Sequence, residues 1–226
     1  MKSNSENGPD LKLIAQQLRK PSGELAARVA SKMDQGNRPL FELTRDTLCI
    51  KTACNILEIG FGSGKYMKEI WALPECLSMS GVDYSDDMVK QAEANNAEAL
   101  TSGKLSLING SSDNLPFDDH SFDIAYCNMV IYFWDNPEIH LSEIYRVLKP
   151  EGKFYTGFRP RGSMLNFPFT RFNFRLYDVE DWESVLAENG FSVVGTEFRL
   201  DPELDDDGNQ FQLESVCMVA AKSSDT

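Results

Sequence analysis

One short stretch of the chain combines an acid with alternating glycines. Residues 56–64 read Ile-Leu-Glu-Ile-Gly-Phe-Gly-Ser-Gly, so Glu58 lies near the end of an apolar run and Gly60, Gly62 and Gly64 follow it at once. Glycines spaced in this way let a chain leave a strand through backbone angles barred to other residues and bring its amides close to a ligand. The pattern indicates a nucleotide-binding loop with a carboxylate in its floor.

Two common ligands of such loops fit this one poorly. A Walker A phosphate loop needs a glycine at position 59 and a serine or threonine after Lys65, and neither is present. A dinucleotide fingerprint needs its third glycine where Lys65 stands. Glu58 would also face the pyrophosphate, and one like-charge contact at about 4 Å costs roughly 4 kcal/mol at an effective dielectric of 20. An NAD-dependent oxidoreductase is therefore the less favoured alternative, and a ligand that carries an ammonium and a sulfonium, as S-adenosylmethionine does, is attracted instead.

The order of the motifs resembles that of the class I S-adenosylmethionine-dependent methyltransferases over residues 53–222. In that family the second strand ends in an acid that accepts both ribose hydroxyls, and Asp83 matches it. Tyr84 and Met88 match the residues that pack on the adenine. Residues 141–153 match the helix, turn and fifth strand, so the resemblance covers several motifs and not one loop.

The adenine loop departs from the family pattern at one position. Many members place an acid where Ser111 stands, so either Ser111 or Asp113 binds the adenine amino group. Ser112 lies between them, and Asn128 ends the fourth strand, where members of the family place cofactor contacts. The resemblance implies S-adenosylmethionine as cofactor and these cofactor-binding residues: Glu58, Gly60, Gly62, Gly64, Asp83, Tyr84, Met88, Ser111, Ser112, Asp113 and Asn128.

Composition narrows the class of substrate. The net charge is −13, with 35 acidic against 22 basic residues, so the field of the molecule repels nucleic acid. Five cysteines, an odd number without C-x-x-C spacing, indicate a reducing cytoplasm. No apolar stretch approaches the length of a membrane span, and the N-terminus does not resemble a signal peptide. We therefore expect a cytoplasmic protein without a membrane span that acts on a small-molecule acceptor.

Strand and helix patterns alternate along the chain, which predicts an α/β fold. We expect a Rossmann-like, seven-stranded, mostly parallel sheet with helices on both faces. The strands are predicted near 54–59, 77–83, 104–109, 122–127, 152–158, 191–200 and 211–221, and the helices near 64–73, 86–100, 137–148 and 178–189. Acidic residues join the last two strands, so these should form a hairpin that makes the last strand antiparallel.

Two domains are expected, an N-terminal helical cap over 1–50 and a methyltransferase domain over 51–226. A first helix is predicted from Leu11 to Arg19, a second from Ser22 to Gly36, and a third that begins at Asn37 and buries Leu40, Leu43 and Leu48. These helices either close over cofactor and substrate or only cover the sheet, and the sequence favours both interpretations equally.

The segment 158–177 is a candidate for the acceptor site. It holds six aromatic residues and four arginines with no acid, in a chain that is otherwise acidic. Ligands of open parallel sheets bind beyond the carboxyl ends of the strands, so this insert is expected to line the acceptor pocket, with Arg171 and Arg175 favouring an aromatic, amphipathic or anionic substrate. The alternative is a loop packed by its own aromatics, with arginines paired to surface acids. Tyr132 either orients the acceptor or belongs to the core.

No residue is assigned as a general base. An activated methyl group mainly needs an acceptor held in line, and His120 and His140 are interpreted as structural or exposed. The acids between Glu203 and Glu214 have the spacing of a calcium loop, but strands flank them, so a hairpin turn is favoured and no metal is expected. A module that binds the cofactor without turnover remains a further alternative.

Overall fold

The core of the protein is a mixed β-sheet, seen in a computed structural model that describes residues 10–206 and 209–223. Its strands are β1 Cys54–Ile59, β2 Cys76–Asp83, β3 Leu105–Asn109, β4 Phe122–Asn128, β5 Leu148–Phe158, β6 Phe191–Leu200 and β9 Glu214–Lys222. Between β6 and β9 a separate ribbon is formed by β7 Leu204–Asp206 and β8 Asn209–Phe211.

The sheet has the strand order β3-β2-β1-β4-β5-β9-β6. The first five of these strands pair in parallel, whereas β9 runs antiparallel to both β5 and β6. This confirms the predicted seven-stranded, Rossmann-like sheet and its antiparallel last strand. Residues 207 and 208 of the predicted turn lie outside the described residues, so the calcium-like spacing is described only in part.

Eight helices surround the sheet within the described ranges. They are α1 Leu11–Arg19, α2 Ala26–Thr47, α3 Lys68–Trp71, α4 Asp86–Asn95, α5 Ala97–Thr101, α6 Pro137–Val147, α7 Arg161–Met164 and α8 Val179–Glu188. Two buried apolar clusters cover opposite faces of the sheet, one of them packed with residues of α6 and α8 and the other with residues of α2, α3 and α4.

The N-terminal region corrects one prediction. Gly36 does not end a helix and Asn37 does not begin one, because α2 is a single helix of 22 residues. A glycine inside a helix costs about 1 kcal/mol, which is less than the gain from burying Leu40 and Leu43 on the sheet. Ser22 does not cap a helix with its side chain, since a 3-10 turn follows it before α2 starts.

The helix predicted over 86–100 is divided at Asn96. The side-chain amide of Asn96 donates to the carbonyls of Gly64 and Ala92, each at 2.9 Å, and its oxygen accepts from the Trp71 indole at 2.9 Å. These bonds end α4 and attach it to the glycine loop. The predicted helix over 64–73 is likewise shorter, because its first residues form a turn before α3.

Candidate active site

A cavity of about 390 Å³ opens where β1, β2 and β4 end. Parallel strands bring their carboxyl ends to one edge of a sheet, so the residues predicted for the cofactor from separate motifs meet here. The lining contains all of them but one: Glu58, Gly60, Gly62, Asp83, Tyr84, Met88, Ser111, Ser112, Asp113 and Asn128. Gly64 lies behind the loop instead.

The three glycines of the loop have different reasons to be glycine. All have positive φ, +70° at Gly60, +56° at Gly62 and +65° at Gly64. A Cβ on Gly64 would lie 2.6 Å from the Cβ of Ala92, so the loop packs directly on α4 there. No atom lies within 4 Å of a Cβ placed on Gly62, so only its backbone conformation requires glycine and the space above it belongs to the cavity.

Two buried carboxylates lie under this loop. Asp83 accepts hydrogen bonds from the backbone amides of Gly62 and Ser85, both at 2.9 Å, which fixes the acid against the loop. Burial raises the pKa of Asp83 to about 6, although the two backbone hydrogen bonds oppose the shift. Both carboxylates are only 8% exposed, and Glu58 lies on the neighbouring strand.

Glu58 has an unsatisfied oxygen. Its Oε2 and the hydroxyl of Tyr126 are both buried without a hydrogen bond of ordinary geometry among the described residues, and the two groups lie near enough for each to shift the pKa of the other. Burial raises the pKa of Glu58 to about 7; the Tyr126 hydroxyl opposes this shift, and the negative Asp83 adds a smaller contribution to it. A buried acceptor without a partner costs free energy unless a ligand supplies a donor. The site therefore fits a ligand that carries an ammonium group.

The opposite side of the cavity is polar and aromatic. The Ser112 hydroxyl lies 2.8 Å from His140 Nδ1, and the His140 ring stacks on Trp134 with centroids 4.8 Å apart and planes at 7°. Ser111 and Asp113 both line the cavity, so the structure leaves both available to an adenine amino group. Burial lowers the pKa of His140, which keeps the ring neutral near pH 7. Sequence reasoning missed His140, which was interpreted as structural or exposed and lies in this wall.

The segment before α2 covers the cavity beside Tyr84. The Tyr84 hydroxyl donates to the Arg19 carbonyl at 2.5 Å, and the Ser85 hydroxyl donates to the Pro21 carbonyl at the same distance. The Arg19 guanidinium forms an ion pair with Asp135 at 2.6 Å. Residues far apart in sequence thus enclose this end of the cavity.

Helix α2 reaches the glycine loop through Asp34. The Ser63 hydroxyl donates to the Asp34 carboxylate at 2.9 and 3.0 Å, and the Tyr66 hydroxyl donates to the Asp34 carbonyl at 3.0 Å. Burial raises the pKa of Asp34. Sequence reasoning missed this acid, because an aspartate in the middle of an amphipathic helix is typical of the solvent face.

A second, larger cavity of about 690 Å³ adjoins the first. Residues of α1 and α2 form one side of it, and Met164, Phe167, Phe169 and Phe174 of the insert form much of the other. Five residues line both cavities: Leu18, Met33, Asn37, Met129 and Phe133. The two spaces therefore meet at these five side chains.

The three residues predicted for the acceptor lie outside both linings. Tyr132 is fully buried, where its hydroxyl donates to the Arg159 carbonyl at 2.7 Å and accepts from the Arg159 amide at 2.6 Å. Arg171 and Arg175 are exposed, and Arg175 lies over the Tyr177 ring. Their part in acceptor binding stays a prediction, and the structure does not bring these side chains to the cavity.

The other two arginines of the insert are paired with acids. Arg159 is 3% exposed and bonds to Asp201 at 2.7 Å, while Arg161 reaches Asp178 and Asp181 at 2.9 and 2.6 Å.

Within residues 10–206 and 209–223, no three metal-ligating side chains come together. In the same part of the chain, every helix is too short or too polar to cross a bilayer.

Comparison with known proteins points to one family. Residues 57–156 match the family model described as a methyltransferase domain. The uncharacterized methyltransferase YdaC of Bacillus subtilis is 29% identical over 82% of this chain and 93% of that protein. The ubiquinone/menaquinone biosynthesis C-methyltransferase UbiE of Geotalea daltonii is 34% identical over 46% of each chain.

Solved structures agree on the fold. A methyltransferase of Haloferax volcanii, in complex with the Trm112 methyltransferase activator, superposes with a TM-score of 0.77 at 20% identity, over 89% of this chain and 95% of that one. The glycine loop, the acid at the end of β2 and the antiparallel last strand agree with these matches. Residues 57–156 of this chain thus match a methyltransferase domain, within a fold that solved methyltransferase structures share.

Proposed function

We propose that this enzyme transfers a methyl group to a small-molecule acceptor by in-line displacement, with the acceptor held in the second cavity. The observation that carries the proposal is the wall of five residues common to both cavities. A cofactor in the first cavity and an acceptor in the second would meet at that wall. The second cavity has the size of a metabolite site, since ligand pockets usually measure about 300 to 1,000 Å³.

The first cavity would hold the cofactor in a defined orientation. Glu58 lines the cavity and would offer its carboxylate to the ammonium group, and Asp83 has lone pairs left for the ribose hydroxyls after its two backbone bonds. Ser111 or Asp113 would then bind the adenine. When bound, S-adenosylmethionine supplies a methyl group that is already activated by a sulfonium.

The protein would accelerate the reaction mainly by positioning the two reactants. The wall between the cavities contains the amide of Asn37 and otherwise apolar side chains, with no carboxylate or imidazole among its five described residues. Correct placement of two reactants can supply about 7 to 11 kcal/mol of the barrier. We therefore assign no general base.

We also propose that residues 1–50 act as a cap and that residues 51–226 form the methyltransferase domain with its insert at 158–177. The described part of the cap supports this, because Asp34 bonds to the glycine loop and Arg19 bonds across the cavity mouth to Asp135. A segment that only covered the sheet would not need these polar contacts to the cavity wall.

Radiolabel transfer tests the proposal. The purified enzyme is incubated with methyl-labelled S-adenosylmethionine and a cell extract that has been separated by ultrafiltration into small molecules and macromolecules. We expect label to enter the small-molecule fraction, with S-adenosylhomocysteine formed in equal amount, and the Asp83→Ala variant to lose this transfer. Transfer to the macromolecules alone, or binding of S-adenosylhomocysteine with no transfer at all, would contradict the proposal.

A further inference from the structure

The second cavity is apolar in its body and cationic at one side. Its described lining is mostly aliphatic and aromatic, with phenylalanines from the insert facing leucines and isoleucine from α1. Arg28 and Lys32 also line it, one helical turn apart on α2. Both are exposed, and neither forms an ion pair with a side chain that the structure describes.

The other charged groups of the lining are already engaged. Asp10 is the one acid among the described lining residues, and its carboxylate accepts from the backbone amides of Lys12 and Leu13 as the cap of α1. The Arg159 guanidinium is neutralised by Asp201 and also donates to Asn37. Arg28 and Lys32 are therefore the two cations of the described lining that are not paired with a described acid.

The positions of Arg28 and Lys32 on α2 fix their distance from the wall that the two cavities share. Asn37, on the wall shared with the first cavity, lies five residues beyond Lys32 and nine beyond Arg28 in the same helix. A rise of 1.5 Å per residue places the two cations about 8 and about 14 Å along the helix axis from Asn37. A ligand that spans the cavity would thus have one end at the cofactor and the other at the cations.

We infer that the acceptor is an amphipathic anion, with its apolar body in the second cavity, its anionic group at Arg28 and Lys32, and its methyl-accepting atom at the opposite end. This inference rests on the proposed function, because it assumes that the second cavity receives the acceptor. The anion would then be bound by residues of the cap helix α2, and not by Arg171 and Arg175 of the insert, which lie outside the lining.

A fluorescent probe of this chemistry tests the inference without methyl transfer. Dansylaminoundecanoate carries an aromatic group and a carboxylate at the two ends of an alkyl chain, and its methyl ester is the neutral match. We expect the wild-type enzyme to bind the acid about 10-fold more tightly than the ester, and the R28Q/K32Q variant to bind the two equally. The K51Q/K90Q variant removes the same charge from exposed lysines outside both linings and should keep the preference.

A second variant locates the probe. Val29 lines the second cavity and not the first, so Val29→Trp should fill the space and abolish probe binding, while S-adenosylhomocysteine still binds within about 2-fold of wild type by calorimetry, which also shows that the variant is folded. Equal binding of acid and ester by the wild type, a preference retained in R28Q/K32Q, or full probe affinity in Val29→Trp would each overturn the inference. Failure of the proposed function is a different result, the loss of label transfer to small molecules.

Discussion

The two cavities share a wall but obtain their selectivity in opposite ways. The first is lined by buried carboxylates on neighbouring strands, and one of them has an oxygen without a partner. The second is lined by apolar side chains from helices and an insert, with its free charge at the rim. A buried charge is costly to leave unpaired, whereas a rim charge is screened by water. Binding should therefore depend steeply on single groups in the first cavity and only moderately in the second.

The buried carboxylate of Glu58 in the first cavity also affects the stability of the folded protein. The carboxyl of Glu58 has an ordinary pKa of 4.5 and a pKa of about 7 in the folded protein, because burial disfavours its charged form. The folded chain then holds this proton more tightly than the unfolded chain does, so the free energy of unfolding falls as the pH rises from about 4.5 to about 7. Ionisation of Glu58 thus lowers the stability of the folded protein near neutral pH, and a cationic ligand beside this carboxylate would oppose that loss.

The largest effect should come from Glu58→Gln. This change keeps the shape and removes the charge, so we expect S-adenosylhomocysteine to bind about 100-fold more weakly at pH 8 in isothermal titration. The apo variant should melt at a higher temperature than the wild type at pH 8, because it no longer ionises a buried acid. Glu93→Gln, a change at an exposed position on α4, is the control and should alter neither property. A variant that keeps full affinity would remove Glu58 from the site.

In the wild type, the affinity for S-adenosylhomocysteine should also decrease as the pH is lowered. Protonation of Glu58 below its pKa of about 7 removes the charge that attracts the ammonium, and Asp83 follows near pH 6. We expect about a 10-fold loss between pH 8 and pH 6, measured by titration calorimetry. Much of this dependence should be missing in Glu58→Gln. A flat profile in the wild type would show that the charge of Glu58 does not contribute.

A smaller effect is expected where α2 meets the glycine loop. Asp34→Asn weakens the acceptor of the Ser63 hydrogen bond without removing a buried apolar group, so cofactor affinity should fall about 5-fold. Gln35→Ala, at the exposed neighbouring position, is the matched control. If Asp34→Asn binds S-adenosylhomocysteine as tightly as the wild type, the cap does not support the loop.

The residues of the first cavity could be predicted because local sequence patterns mark their positions. Each acid or glycine lies at the end of a strand or in the turn after it, and strand order brings such positions together without further information. Glu58 and Asp83 are examples, since Glu58 lies near the end of an apolar run and Asp83 ends the second strand. The strand predictions were correct within a few residues for the same reason.

The second cavity was not predictable because its parts are joined only by tertiary packing. Gly36 and Asn37 have the local signals of a helix end and a helix start, yet burial of Leu40 and Leu43 on the sheet keeps α2 continuous. Arg28 and Lys32 look like any solvated helix face in the sequence. Only the approach of the insert to α1 and α2 gives them a cavity to line.

The smallest effect is expected from R171Q/R175Q, the pair that the sequence placed at the acceptor. Both side chains are exposed and lie outside the two linings, and Arg175 rests on Tyr177. Because exposed charges at a distance are screened, the affinity for dansylaminoundecanoate should change by less than about 2-fold, against about 10-fold for R28Q/K32Q. The two double variants remove the same charge, so their difference measures position alone. Equal losses in both would mean that the anion is attracted by the general field of the cationic residues, and that α2 has no special part in the contrast between the cavities.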